Sequence, residues 1–238
     1  MKLRNLFISA AVTASIALTG CNQTNGSGTN PFPDGGGQKV YVDIVTLESS
    51  GSSGTSLTLR RINDDPQVTY FSYIDLPSAD FHKGDRLVIS YTPTSNDRFQ
   101  NGPITIWEAM PTIGKGAVPY PRTSVQTQDW KTDAIELFEL HRSGEYLNII
   151  FNASAYYGQF EGELVLDAAT AESDMPEYYV IFKRKSPDAS TKQYAFYMSY
   201  KIEDQWKRED VRGIRIKYTD TKKGATYKDI MKVNKDNN

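Results

Sequence analysis

The chain has 238 residues, with 27 lysines and arginines against 29 aspartates and glutamates, for a formal net charge of −2. That balance excludes the strongly basic footprint of a nucleic-acid-binding protein and any bulk attraction to an anionic membrane surface. Cys21 is the only cysteine, which excludes a disulfide framework, so the folded part stands on its hydrophobic core.

Taken in chain order, Lys2 and Arg4 precede an apolar stretch at residues 6–18. It has signal-peptide length and falls short of the roughly 20 residues a membrane-spanning helix needs. The stretch ends in Leu18-Thr19-Gly20-Cys21, which resembles a bacterial lipobox. Residues 1–20 are therefore expected to be a lipoprotein signal peptide, and Cys21 to carry the lipid that attaches the protein to a membrane. Several acyl chains at about 0.8 kcal/mol per buried methylene would make that anchor stable. Without the leader, 218 residues remain, with 25 basic and 29 acidic side chains. Residues 21–38 are rich in Asn, Gly, Thr and Pro and end in Gly35-Gly36-Gly37, which reads as a flexible tether.

From Lys39 onward, short alternating runs take over. Val40, Val42 and Ile44 share one face; then come Leu57 and Leu59, then Val68, Tyr70 and Ile74, then Leu87, Ile89 and Tyr91, then Ile104 and Ile106. Period-two runs bounded by Gly, Pro, Asn and Asp are strand signals. Five of them predict a small OB-like barrel over residues 39–122, with Lys83-Gly84-Asp85 as the turn into the fourth. Pro111, Gly114, Gly116, Pro119 and Pro121 then break any long helix or central strand, placing a domain junction between residues 120 and 131. Strand patterns resume at 135–140, 146–151, 160–166, 178–183, 193–200, 213–218 and 226–231. Seven strands with regular turns predict a β-sandwich over residues 131–238, making the whole protein all-β. Tyr194, Phe196, Met198 and Tyr200 form its clearest buried face, and residues 203–209 allow one short helix.

With these elements in place, the chain resembles the NigD-like proteins, lipoproteins of Bacteroidetes. The carriers are the lipobox, Lys83-Gly84-Asp85-Arg86-Leu87 leading into a barrel strand, and Asp133-Ala134-Ile135-Glu136-Leu137 followed by Gly144-Glu145-Tyr146-Leu147-Asn148-Ile149. The resemblance implies an N-terminal OB-type barrel and a C-terminal β-sandwich. The family takes its name from a bacteriocin-associated gene cluster, and by that analogy a bacteriocin-associated or immunity-like role is expected, although no agreed biochemical role or binding residues come with the resemblance. Surface-exported lipoproteins of that phylum often carry acidic residues directly after the lipidated cysteine. Here none occurs between Cys21 and Asp34, so the expected location is the outer membrane, facing the periplasm.

The residue types that carry chemistry mostly point away from catalysis. His82 and His141 are the only histidines and lack metal-ligand spacing, so neither a metal nor a cofactor is expected. Gly51-Ser52-Ser53-Gly54 reads as a hairpin tip rather than a nucleophile elbow, and Gly114-Lys115-Gly116 as a turn rather than a phosphate loop. Glu161 and Glu163 alternate onto one strand face, which is expected to be solvated. A glycosidase needs two carboxyl groups about 5 to 9.5 Å apart across a cleft. On the barrel, Tyr70, Phe71 and Tyr73 with Arg60 and Arg61 are the residue types that bind single strands. Tyr70 and Phe71 point to opposite faces, however, and residues 38–129 carry a net charge of −2, so no nucleic acid is expected.

Two features remain as candidate contact sites. Tyr156-Tyr157-Gly158 sits in a sandwich loop, where exposed rings stack on sugars or anchor a protein; alternatively, one ring closes the end of the sandwich. The second is a charge division: residues 130–182 carry 2 basic and 10 acidic side chains, and residues 183–238 carry 15 basic and 8 acidic. Cross-strand pairing is the favoured arrangement; segregation would steer a charged partner. Lys183, Arg184, Lys185, Arg215 and Lys217 are the cations to follow. The sequence thus points to a non-enzymatic module binding an envelope or secreted protein, with a glycan or small ligand as the alternative.

Overall fold

Strands β1 (Tyr41–Gly51), β2 (Gly54–Leu59), β3 (Val68–Ser72), β4 (Arg86–Pro93) and β5 (Gly102–Pro111) close into a barrel in the order β1-β2-β3-β5-β4. All its pairings are antiparallel except β3 with β5, where Tyr70 lies opposite Gly102 and Phe71 opposite Pro103. The computed structural model describes residues 39–76, 80–123, 132–155, 159–185 and 193–232. The expected signal peptide at 1–20, the lipid site Cys21, the tether at 21–38 and the loop tyrosines Tyr156 and Tyr157 lie outside the described residues.

Alternation along each barrel strand delivers Val45, Leu47, Leu57, Tyr70, Leu87, Ile89, Tyr91 and Ile106 to the interior. On β1 the inward set is Val45 and Leu47, with Tyr41 packed against it, not the Val40, Val42 and Ile44 set that the sequence brings together. Asp43 shares the inward parity. Its carboxylate accepts hydrogen bonds from Tyr91 Oη at 2.8 Å and Arg98 Nη1 at 3.4 Å, and these replace the water it loses. Burial raises the Asp43 carboxyl above the usual range, against the opposing pull of Arg98.

The second half adds β6 (Tyr120–Arg122), β7 (Glu136–Ser143), β8 (Tyr146–Ala153), β9 (Phe160–Asp167), β10 (Glu177–Arg184), β11 (Tyr194–Lys201), α1 (Glu203–Lys207), β12 (Gly213–Asp220) and β13 (Gly224–Met231). Five form one sheet, β13-β12-β10-β9-β6, and three the other, β11-β8-β7. The seven expected strands are β7 to β13. The eighth, β6, pairs in parallel with β9; its three residues around Pro121 are too few to show an alternation.

Between the sheets Leu147, Ile149 and Phe151 of β8 meet Leu164 and Leu166 of β9, Val180 and Phe182 of β10, and Phe196, Met198 and Tyr200 of β11. Phe151, Phe160, Phe182 and Phe196 interlock with centroid separations from 4.7 to 5.5 Å. Each large side chain fully buried there contributes about 1.5–3 kcal/mol.

Candidate ligand cleft between barrel and sandwich

The site begins where β4 begins. Arg86 follows the Lys83-Gly84-Asp85 turn, and its backbone is tied to the segment after β5: its N–H donates to the Lys115 carbonyl at 3.2 Å, and its carbonyl accepts from the Thr112 N–H at 2.9 Å. That segment is strapped in turn to β11. Ile113 N–H donates to Tyr197 O and Gly116 N–H to Ser199 O, each at 2.8 Å, while Lys201 N–H reaches Ala117 O at 3.0 Å. Gly114 makes the approach possible. Its φ is +85°, and a Cβ there would lie 2.4 Å from the Tyr200 ring. The expected turn at Gly114-Lys115-Gly116 is thus also the strap joining the two halves.

The strap carries the Arg86 side chain into the seam, where it is 2% exposed. Its Nε–H donates to Ser199 Oγ at 3.0 Å, Nη1 to Thr46 Oγ1 at 2.8 Å and Nη2 to Asn148 Oδ1 at 3.2 Å. The guanidinium lies 4.5 Å over the Tyr146 ring. All three acceptors are neutral, and Arg86 forms no ion pair with a carboxylate among the described residues. Desolvation consequently pulls its pKa down to about 10.

The acceptors are themselves held. Ser199 Oγ–H donates to Asn148 Oδ1 at 2.8 Å, so that oxygen is fully engaged and Asn148 Nδ2, 3.1 Å from His141 Nε2, is the donor there. That leaves His141 Nε2 as the acceptor, while Nδ1 lies 2.8 Å from Glu139 Oε1 outside hydrogen-bond geometry. The contact with His141 lowers the Glu139 carboxyl below its ordinary value.

Over Arg86 opens a cleft of about 470 Å³, bounded on the barrel side by Thr46, Glu48, Thr58 and Arg60 and on the sandwich side by Arg142, Gly144, Tyr146 and Trp206. Arg142, 5% exposed, makes a two-point pair with Asp64 at 3.0 and 2.7 Å and lies 4.8 Å over the Trp206 ring. Its Nε–H is buried without a hydrogen-bond partner. At the rim, Glu145 and Glu203 both hold Lys201, at 2.7 and 3.2 Å, and Lys207 pairs with Glu203.

No family model and no curated protein matches the sequence. Solved structures do. A protein of unknown function from Bacteroides vulgatus, 11% identical, superposes with a TM-score of 0.60 over 83% of this chain and 93% of that one. A NigD-like immunity protein from Bacteroides caccae, 14% identical, does so with a TM-score of 0.57 over 85% of this chain and 99% of that one. This chain has the NigD-like fold.

Within the NigD-like sandwich, the cations followed from the sequence lie away from the cleft. Arg215 donates to Asp229 at 2.9 and 3.0 Å and lies 4.1 Å over Tyr227. Lys217 pairs with Glu177 and donates to Tyr179 Oη at 3.1 Å. Arg184 pairs with Asp133 at 3.1 Å, Lys183 lies opposite Glu161 in register, and the Lys185 side chain is exposed. Early acids and late bases meet as neighbours because β10, which begins with Glu177, is flanked by β12 in the sheet and sets Glu177 opposite Arg215. Glu163, whose partner on the strand face was expected to be water, accepts from Arg122 Nη2, which lies 2.9 and 2.7 Å from its two carboxylate oxygens. Tyr156 and Tyr157 lie outside the described residues. What sequence reasoning missed is the Arg86, Asn148 and Ser199 cluster. Two of these residues sit inside the motifs that carry the family resemblance, but Arg86 and Ser199 are 113 positions apart, and no local pattern links them.

Proposed function

We propose that this protein is a lipid-anchored, non-enzymatic module of the cell envelope that binds a protein partner in an immunity-like, bacteriocin-associated role. The likeness to the Bacteroides caccae NigD-like immunity protein along 99% of that chain is the observation that carries the reading. The lipobox-like Leu18-Thr19-Gly20-Cys21 supports the anchor, and the non-acidic residues after it support the periplasmic side. The cleft is where a partner segment would engage barrel and sandwich together, since both halves line it.

In-cell cross-linking followed by mass spectrometry tests this, with Cys21→Ala as the unanchored control. One abundant envelope or secreted protein is expected, lost in the control; no protein above background would remove the partner reading. A glycan or small ligand is the second reading, favoured by the cleft's volume, which falls among small-molecule sites, and by the Trp206 and Tyr146 rings beside it. A thermal-shift screen against glycans tests it, and a saturable rise in melting temperature with one saccharide is the outcome that would replace the first reading.

A further inference from the structure

We infer that Arg86 and the cleft above it form a receptor for a single carboxylate group. The inference rests on the binding-module reading and deepens it by naming the chemical group that the cleft takes.

Its starting point is the state of Arg86. A guanidinium withdrawn from water costs several kcal/mol unless an anion accompanies it, and here the companions are a hydroxyl from β1, a hydroxyl from β11, an amide oxygen from β8 and an aromatic face. Of the five N–H groups of an arginine, three are engaged. The remaining two belong to a side chain that lines the cleft. Nearby, the Arg142 Nε–H is also buried without a partner. The fixed partners give Arg86 its second qualification: they hold the plane of the guanidinium from three strands in two sheets before any ligand arrives. Binding then requires little further ordering of the protein. Asn148 is itself held by the Ser199 hydroxyl and by His141 behind it.

The surroundings decide between oxyanions. Glu48, Asp64, Glu145 and Glu203 stand around the same cleft, so the second charge of a phosphate would meet four carboxylates, whereas a planar monoanion matches the flat, singly charged guanidinium. The rings of Tyr146 and Trp206 supply apolar wall for the carbon stem that carries such a group. Two sources share this chemistry, a free carboxylic acid and an acidic side chain of a bound protein.

The test is a titration of the purified full-length chain with butyrate, a monocarboxylate, and, separately, inorganic phosphate at constant ionic strength. It is followed by calorimetry and by the ¹⁵N–¹H signals of the arginine Nε groups. Saturable one-site binding of butyrate, with the Arg86 signal moving along the same curve, is expected, and phosphate should bind about tenfold more weakly or worse. Arg86→Gln should lose about tenfold or more in butyrate affinity. Since that change also touches the seam, the Nε signals of the unaltered chain decide the matter if the variant does not fold. Absence of saturation with butyrate, tighter binding of phosphate, or an Arg86 signal that stays still through the titration would overturn the inference. Suppression of partner capture by butyrate added before the cross-linker assigns the carboxylate to that partner; binding without suppression assigns it to a free acid. Failure of butyrate to bind while a partner is captured sinks this inference alone, and butyrate binding with no partner sinks only the protein-partner reading.

Discussion

Phe151, Phe182 and Phe196 at the centre of the sandwich, and Arg86, Asn148 and Ser199 at the seam, are all 4% exposed or less. Yet the two regions exclude water for different ends. The phenylalanine cluster removes a large apolar area, and its rings meet in stacked, tilted and edge-on pairs alike. Such packing stabilises through area and tolerates variation in angle. The seam depends on direction: Arg86 Nε, Nη1 and Nη2 each donate to one acceptor, and Asn148 is held in turn by Ser199 and His141. The comparison teaches that the sandwich core stabilises by area, whereas the seam holds barrel and sandwich to each other by directed hydrogen bonds.

The sharpest way to test that division is to damage each region once. Phe182→Ala is expected to cost about 3–5 kcal/mol of unfolding free energy, read from urea denaturation. A loss under about 1 kcal/mol would show that the cluster is not the stabilising core. Asn148→Ala comes next, at about 1–3 kcal/mol, because it leaves Arg86 Nη2 and the Ser199 hydroxyl each without an acceptor. If the seam is worth little, this variant will denature at the same urea concentration as the parent.

The smallest expected effect lies outside both regions. A hydrogen bond from Arg184 holds the Asp133 carboxyl below its ordinary value, so its contribution is present above the unfolded pKa near 3.9 and is lost as pH falls through the lower folded value. The pair is partly exposed, at 36% and 33%, and its worth at pH 7 stays under about 1 kcal/mol. Asp133→Asn should lower the urea midpoint slightly at pH 7 and leave stability in strong acid unchanged, which flattens the acid limb below about pH 4. An acid limb identical to the parent's would assign that limb to other carboxylates.

Much of the architecture was legible in the residues. The alternation of Phe196, Met198 and Tyr200 marked a strand and its core face, because both properties are local. What failed to show was any feature decided by a partner far along the chain. Val40, Val42 and Ile44 marked one face of the first strand, and the structure turns the other inward, since Tyr91 and Arg98 reach Asp43 and make its burial tolerable. Strand β6 exists because β9 offers it an edge. The fate of Arg215 and Lys217 depended on Glu177 lying opposite Arg215 in a parallel pairing. Of the cleft, only the motif residues around Arg86 and Asn148 were visible, without the contact that makes them one site.

The strap and the seam also bear on how the protein reaches this state. Arg86 and Ser199 stand 113 residues apart, and the parallel pairings of β3 with β5, β6 with β9 and β10 with β12 likewise join distant stretches. Chains dominated by such non-local contacts pay the entropy of loop closure before any contact rewards it, and they fold on timescales of roughly milliseconds to seconds. For Arg86 the order of events is constrained further. Its guanidinium stays hydrated until strands from both halves meet, so the charge leaves water in the same step that supplies its acceptors.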